Sequence, residues 1–123
     1  MRALIVDDSR AVRSMIGRSL TQLGFEIFDA GNGREALQQL ERLGPVDVAV
    51  VDWNMPEMSG YEFVRAVRAD ATYKTMRIIM VTSESELSRV TDALAAGADE
   101  YLMKPFVVEA LRDKLALTGL QVA

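Results

Sequence analysis

The sequence contains no cysteine and no histidine. Without these residues it cannot form a disulfide, a structural zinc site, or a Cys–His or Ser–His–Asp catalytic set. Haem ligation by histidine and a histidine phosphodonor are excluded as well. A hard cation held by oxygen ligands is still compatible with the composition.

The sequence also lacks an excess of positive charge and long apolar runs. Its 18 acidic and 14 basic residues give a net charge of −4, which argues against nucleic acid as the main partner. Apolar stretches such as 48–51 and 78–81 are far too short to span a bilayer, and the stretch at 3–6 is too short for a signal peptide. We therefore expect a soluble, cytoplasmic protein that binds neither DNA nor membranes directly.

Half of the 123 residues are hydrophobic, and the length suits one domain. Short aliphatic runs predict five strands, and apolar residues at helical spacing between them predict five helices. The predicted strands are 3–6, 25–28, 46–51, 77–81 and 100–103. Ser59 and Glu62 have the spacing of a capping box, and Gly24, Gly44 and Gly97 each follow a helical pattern.

Strands that are apolar throughout, each followed by a helix, predict a (βα)5 domain with a parallel sheet covered on both faces. The second strand is expected at the margin of that sheet. In such folds ligands bind beyond the carboxyl ends of the strands, where the strand order reverses. The residues just after each strand are therefore the candidates for function.

Polar side chains follow four of the predicted strands. Asp7 and Asp8 follow the first, Asp52 ends the third, Thr82 ends the fourth and Lys104 follows the fifth. Because parallel strands end at the same edge, these segments bring three carboxylates, a hydroxyl and an ammonium group together.

The charges of this group predict a cation. Asp7, Asp8 and Asp52 sum to −3, and Lys104 leaves a net −2, which is unfavourable unless a cation binds or a carboxyl group is protonated. Carboxylate and carbonyl oxygens suit Mg²⁺, with Mn²⁺ as a substitute. The metal and Lys104 would attract a phosphoryl group, and Asp52 is the natural nucleophile because aspartate can form an aspartyl-phosphate.

Each of these residues has a structural alternative. Asp8 or Ser9 could cap the first helix, Thr82 or Ser83 could cap the fourth, and Lys104 could be an ordinary solvated lysine. Their joint placement at four strand ends favours a functional site.

At these positions the sequence resembles the receiver domain of two-component response regulators, in particular the CheY-like, single-domain regulators of chemotaxis. The resemblance covers essentially the whole chain. It is carried by Ile5-Val6-Asp7-Asp8-Ser9, Asp52-Trp53-Asn54-Met55-Pro56 followed by Gly60, Thr82, and Lys104-Pro105-Phe106. It implies an α/β flavodoxin-like fold with a five-stranded parallel sheet of order 2-1-3-4-5.

The resemblance implies that Asp52 accepts a phosphoryl group from a phosphohistidine on a histidine kinase or a histidine phosphotransfer protein. Asp8 and Asp52 would bind Mg²⁺ through their carboxylates and Asn54 through its backbone carbonyl. Asp7 would act mainly through water.

The remaining roles concern the response to phosphorylation. Lys104 would pair with Asp52 or the phosphoryl oxygens, and Thr82, with Ser83 beside it, would bind the phosphoryl group. Tyr101 would swing inward when Thr82 moves.

Asn54 and Glu84 are expected to tune the phosphoryl lifetime, because small polar groups beside the phosphorus leave room for an in-line water. The alternative is that both are exposed polar loop residues. The Lys104–Pro105 peptide bond is typically cis in the family.

These roles together imply a switch that catalyses only its own phosphorylation and dephosphorylation. Its output would be a change in the face formed by the fourth helix, fifth strand and fifth helix, which contacts a downstream protein. Ser9 replaces an aromatic residue of the chemotaxis regulators, and 85–87 lack the lysines of some relatives, so the downstream partner stays open. We expect residues 1–123 to form a single receiver domain without an effector domain.

Several alternatives remain. The chain could be a phosphorelay intermediate, the receiver part of a longer regulator, or a receiver that switches without phosphorylation. An aspartyl-phosphate hydrolase of the haloacid dehalogenase type would need a second aspartate where Asn54 stands. A flavodoxin-like FMN binder would need a Ser/Thr/Gly-rich loop after the first strand, where Asp7 and Asp8 would repel the phosphate.

Overall fold

The computed structural model describes residues 1–83 and 88–122. Strands and helices alternate along the chain. The strands are β1 (Arg2–Val6), β2 (Glu26–Ala30), β3 (Val48–Asp52), β4 (Arg77–Thr82) and β5 (Glu100–Met103). The helices are α1 (Arg10–Gln22), α2 (Gly33–Leu43), α3 (Gly60–Arg68), α4 (Val90–Ala96) and α5 (Val108–Leu117).

The five strands form one parallel sheet of order β2-β1-β3-β4-β5, which confirms the predicted fold class. The strand order reverses at β1, which pairs with both β2 and β3. Val6 lies beside Val51, and Asp52 lies beside Val81, so the ends of β1, β3 and β4 are adjacent. This edge is where the polar strand ends were expected to meet.

Helices cover both faces of the sheet, as the apolar strands predict. On one face α1 and α5 pack against the sheet through residues such as Ile16, Leu20, Leu111 and Leu115. On the other face α2, α3 and α4 pack through residues that include Leu40, Phe63, Val64 and Ala93. Every residue of β3 is buried, because both of its faces are covered by helices.

The second strand differs from the prediction of a buried strand. β2 lies at the margin of the sheet, as expected, and Glu26, Ile27 and Asp29 are exposed. It extends to Ala30 rather than ending at residue 28, because an edge strand can carry a charged residue such as Asp29 on its solvent side.

The third strand begins at Val48, two residues later than predicted. The Asp47 carboxylate accepts a hydrogen bond from the backbone N–H of Arg2 at 2.6 Å, which ties the preceding segment to the start of β1. The apolar pattern extends through this segment because Val46 is buried although it lies outside the strand.

The predicted helix boundaries agree with the local geometry. Ser59 and Glu62 form the capping box of α3, with hydrogen bonds in both directions. Gly24, Gly44 and Gly97 have positive φ angles at helix ends, a conformation that residues with a β-carbon rarely adopt. In the part of the chain described, no helix is both long and apolar enough to cross a membrane.

Candidate functional site

The buried polar residues of the structure are concentrated at one place. Among the described residues, the polar or charged side chains that are buried belong to Asp7, Asp52 and Thr82, with exposures of 1, 6 and 0%. All three lie at the carboxyl-terminal edge of the sheet, at the ends of β1, β3 and β4. Burial of polar groups opposes folding unless they are compensated, so this concentration is typical of a functional site.

Lys104 connects two of the buried carboxylates. Its Nζ lies 3.1 Å from Oδ1 of Asp52 and 3.3 Å from Oδ2 of Asp7. The backbone N–H of Lys104 donates to the carbonyl of Thr82 at 2.7 Å, which fixes the lysine beside the end of β4. Lys104 is therefore held at the site and is not an ordinary solvated lysine.

The acidic pair after β1 has two different environments. Asp7 is buried, and its Oδ1 accepts the backbone N–H of Ser9 at 2.8 Å. Ser9 caps α1, with its Oγ accepting the N–H of Val12 at 3.3 Å. Asp8 is exposed and does not serve as the cap, so its carboxylate stays available at the mouth of the site.

The three carboxylates are close enough to share a cation. One oxygen from each of Asp7, Asp8 and Asp52 lies within 4.8 Å of the others. These are hard oxygen ligands around an excess of negative charge, so the residues present fit Mg²⁺ or Mn²⁺. Asn54 lies exposed in the loop that follows β3, two residues beyond Asp52.

The titration of Asp52 reflects its burial and, after that, the negative charge of its neighbours. Burial, followed by repulsion from Asp7, raises the pKa of Asp52 from 3.8 to about 6, although Lys104 opposes the shift. Burial also lowers the pKa of Lys104, but its hydrogen bonds and attraction to Asp52 and Asp7 outweigh this and leave that pKa above its usual value. The raised pKa of Asp52 favours binding of a proton or another positive charge at its carboxylate, whereas the raised pKa of Lys104 keeps the lysine charged beside it.

The Thr82 side chain has an unusual environment. Its Oγ1 is fully buried and makes no hydrogen bond within residues 1–83 and 88–122. A buried hydroxyl without a partner costs free energy. The Thr82 hydroxyl could therefore donate a hydrogen bond to a ligand that supplies an acceptor oxygen at this edge.

Tyr101 lies on the same face of the sheet as Thr82. It pairs in register with Met80, and Met80 and Thr82 point to the same side because side chains alternate along a strand. The ring is half-buried against the core, and Lys114 Nζ lies 4.4 Å from its centroid. Tyr101 is thus a diagonal neighbour of Thr82.

The loop after β3 is held tightly. Trp53 is buried, with its ring 5.7 Å from that of Tyr61 in an edge-to-face arrangement. The Gly60 N–H donates to the Trp53 carbonyl at 2.9 Å, and a β-carbon at Gly60 would overlap the carbonyl oxygen of Asp52. Gly60 therefore allows α3 to begin directly against the end of β3.

Three further predictions concern Ser83, Glu84 and the Lys104–Pro105 peptide bond. Ser83 follows β4 directly and is half-buried. Glu84 lies outside the described residues, so its predicted tuning role has no structural counterpart here. The Lys104–Pro105 peptide bond is cis.

Sequence reasoning missed two basic residues near the site. Arg13 of α1 donates to the Asp7 carbonyl at 2.6 Å, and Lys114 of α5 lies over the Tyr101 ring. Neither belongs to a recognisable motif, because a single basic residue on a helix has the same pattern as a solvated one.

Comparison with known proteins identifies the family. Residues 3–116 match the response regulator receiver domain. The chain is 41% identical to the chemotaxis protein CheY1 of Helicobacter pylori over 94% of both chains, and 45% identical to the CheY homolog of Campylobacter jejuni, covering 94% of this chain and 89% of that protein. The structure superimposes on the chemotaxis response regulator CheY4 of Vibrio cholerae with a TM-score of 0.87 at 39% identity, covering 95% of this chain and 97% of that one. The chain therefore belongs to the response regulator receiver family.

Proposed function

We propose that this protein is a phosphoacceptor switch of two-component signalling, with Asp52 as the acceptor. The observation that carries the proposal is the pairing of buried Asp52 with Lys104 at the edge where the Thr82 hydroxyl has no partner among the described residues. A phosphoryl group on Asp52 would give both side chains an anionic oxygen to bind.

The transfer is a simple displacement at phosphorus. An oxygen of Asp52 attacks the phosphorus of a phosphohistidine, the new P–O bond forms, and the N–P bond breaks. The electron pair of the broken N–P bond returns to the imidazole nitrogen of the donor. Because these 123 residues contain no histidine, the donor histidine lies outside them, on a histidine kinase or a histidine phosphotransfer protein.

Mg²⁺ is the expected cofactor, held by the Asp8 and Asp52 carboxylates and the Asn54 carbonyl, with Asp7 acting through water. When bound, it neutralises charge on the transferring phosphoryl oxygens. Lys104 contributes a second positive charge from the position that directly follows β5. Asn54 is neutral and cannot serve as a general acid, so the protein would catalyse only its own phosphorylation and dephosphorylation.

Output would follow from movement of Thr82 and Tyr101. When Thr82 turns toward the phosphoryl group it vacates space beside Tyr101, and the ring moves inward. The surface beside Tyr101 already contains a cavity of about 520 Å³ between β5 and α5, with Met103 and Val107 exposed at its rim. A downstream protein would dock on this face of α4, β5 and α5 with an affinity that depends on the Tyr101 position.

The pathway is proposed from the relatives. The matched proteins of Helicobacter pylori, Campylobacter jejuni and Vibrio cholerae are chemotaxis proteins. We propose that this chain likewise acts in chemotaxis or motility signalling.

The test is phosphate uptake from a small-molecule phosphodonor, measured by intact mass. Wild-type protein with Mg²⁺ should gain one phosphate, and chelation of the metal should suppress the gain. Asp52→Asn should abolish it, whereas Asp113→Asn, which changes an exposed aspartate on α5, should leave it intact. Equal phosphorylation of wild type and Asp52→Asn would overturn the proposal.

A further inference from the structure

Arg13 makes two short contacts across the acidic edge of the sheet. Its Nη1 donates to the backbone carbonyl of Asp7 at 2.6 Å, and its Nε pairs with Oδ2 of Asp29 at 3.0 Å. The Arg13 side chain is only 19% exposed, whereas Asp29 is largely solvated on the edge strand. The guanidinium group therefore ties the end of β1 to the end of β2 from the first turns of α1.

These contacts complete the anchoring of Asp7. Its N–H donates to the Ala30 carbonyl at 3.1 Å, its Oδ1 accepts from Ser9 and its Oδ2 accepts from Lys104. Arg13 supplies the donor for the one remaining polar group, the Asp7 carbonyl. The peptide plane between Asp7 and Asp8 is thereby held by a charged hydrogen bond, which is stronger than a neutral one.

The direction of the Asp8 carboxylate depends on that peptide plane. Its carboxylate makes no hydrogen bond or ion pair to another residue within the part of the chain described, and it is exposed. Its direction is consequently set by the backbone that carries it. The Asp8 oxygen nevertheless lies within 4.8 Å of oxygens of Asp7 and Asp52.

We propose that Arg13 is a positioning residue for the metal pocket: by holding the Asp7 carbonyl against the edge strand, it directs the Asp8 carboxylate toward Asp52. This inference rests on the proposed metal-dependent function and adds a residue that touches neither metal nor phosphoryl group. Partners that orient metal ligands are typically worth about 10- to 100-fold in metal affinity.

The sign of the effect separates positioning from simple electrostatics. Arg13 is a cation beside a cation site, so Coulomb repulsion alone would make Mg²⁺ bind more tightly when the charge is removed. Loss of positioning makes Mg²⁺ bind more weakly. The two explanations therefore predict opposite shifts for the same substitution.

The experiment is a Mg²⁺ titration of the full chain, followed by fluorescence of Trp53, which is the only tryptophan and directly follows Asp52. Arg13→Gln should weaken Mg²⁺ binding by about ten-fold or more. Arg18→Gln removes the same charge from an exposed position on α1 and should leave the affinity within about two-fold of wild type, because an exposed charge is well screened. Arg13→Lys, which keeps the charge and one donor, should lie between Arg13→Gln and wild type.

Further measurements distinguish a positioning role of Arg13 from a purely structural role and from failure of the proposed function. Phosphate uptake by Arg13→Gln should recover toward the wild-type rate at saturating Mg²⁺, because the acceptor itself is intact. Unchanged or tighter Mg²⁺ binding by Arg13→Gln would overturn the inference, as would a loss of stability in urea with no change in Mg²⁺ affinity. A wild-type protein that binds no Mg²⁺ would instead contradict the proposed function.

Discussion

Asp52 and Thr82 both have polar side chains buried at the ends of adjacent strands. They differ in whether a partner offsets the cost of that burial. Asp52 has an ion pair with Lys104, whereas Thr82 Oγ1 has no hydrogen-bond partner among the described residues. A valine at position 82 would fit the same space without an unpaired hydroxyl. The threonine therefore imposes a cost on the resting fold that a phosphoryl oxygen would remove.

Thr82→Val should stabilise the resting protein while it weakens binding at Asp52. Loss of an unpaired buried hydroxyl should raise the free energy of unfolding by about 1 kcal/mol, measured in urea without Mg²⁺. Affinity for beryllofluoride, a phosphoryl mimic, should fall by about ten-fold or more, because hydrogen bonds to charged groups are worth about 1.5–3 kcal/mol. A variant that is clearly less stable than wild type would show that Thr82 already has a good partner.

At the scale of elements, the contact between β3 and α3 places Asp52, the proposed acceptor. The first residue of α3 is Gly60, whose Cα lies against the Asp52 carbonyl with no room for a β-carbon. The Ser59 cap and the Trp53 packing hold the intervening loop in place. Glu57 in this loop has a φ of 67°, a left-handed conformation that a non-glycine residue adopts at a cost.

Gly60→Ala should therefore damage the site as well as the fold. Forcing α3 away from β3 should lower the free energy of unfolding by about 1–3 kcal/mol, as in other overpacked sites. It should also weaken Mg²⁺ binding in the Trp53 titration. Ser59→Ala is the matched control, because loss of a helix cap costs about 1 kcal/mol without contact to Asp52. Normal Mg²⁺ affinity in Gly60→Ala would mean that the helix contact does not position Asp52.

Most elements could be predicted from the sequence because their patterns are local. The strands of the sheet centre have apolar runs, and the capping box at Ser59 and Glu62 is a short motif. The placement of β2 at the sheet margin was predicted, but its exposure and its extension to Ala30 were not. That extension follows from the edge position, where Asp29 can face solvent and pair with Arg13.

The carboxylate set could also be predicted, because parallel strands end at one edge. The closeness of Asp7, Asp8 and Asp52 follows from that topology. The orphaned hydroxyl of Thr82 and the anchoring by Arg13 could not be predicted, because they depend on side-chain contacts between elements that are distant in sequence. Glycine at position 60 was visible as part of the motif, but its contact with Asp52 required the three-dimensional structure.

For the whole molecule, the carboxylates at the carboxyl ends of the strands affect both the proposed function and the pH dependence of stability. Several strands end at a pocket with three carboxylates and one lysine, inside a chain whose net charge is −4. Because burial raises the pKa of Asp52 to about 6, the folded state binds a proton at this group more tightly than the unfolded state does. The contribution of Asp52 to stability is therefore favourable at low pH and is lost as the pH rises from about 4 to about 6.

Asp52→Asn should remove that pH dependence. Without metal, the variant should match wild type near pH 4 and become more stable above pH 6, by up to about 3 kcal/mol, which is the free energy that corresponds to the pKa change. Urea unfolding of both proteins across this range in the presence of a chelator measures the difference. An advantage of Asp52→Asn that stays constant with pH would contradict the assignment of the raised pKa to Asp52.

The most direct test of the whole account is the location of the phosphate. Wild-type protein phosphorylated in Mg²⁺ should be treated with borohydride, which reduces an aspartyl-phosphate to a stable homoserine, and its peptides should be sequenced by mass spectrometry. The account predicts reduction at Asp52 and at no other aspartate. A phosphate found on Asp7, Asp8 or a hydroxyl residue, with Asp52 unmodified, would contradict it.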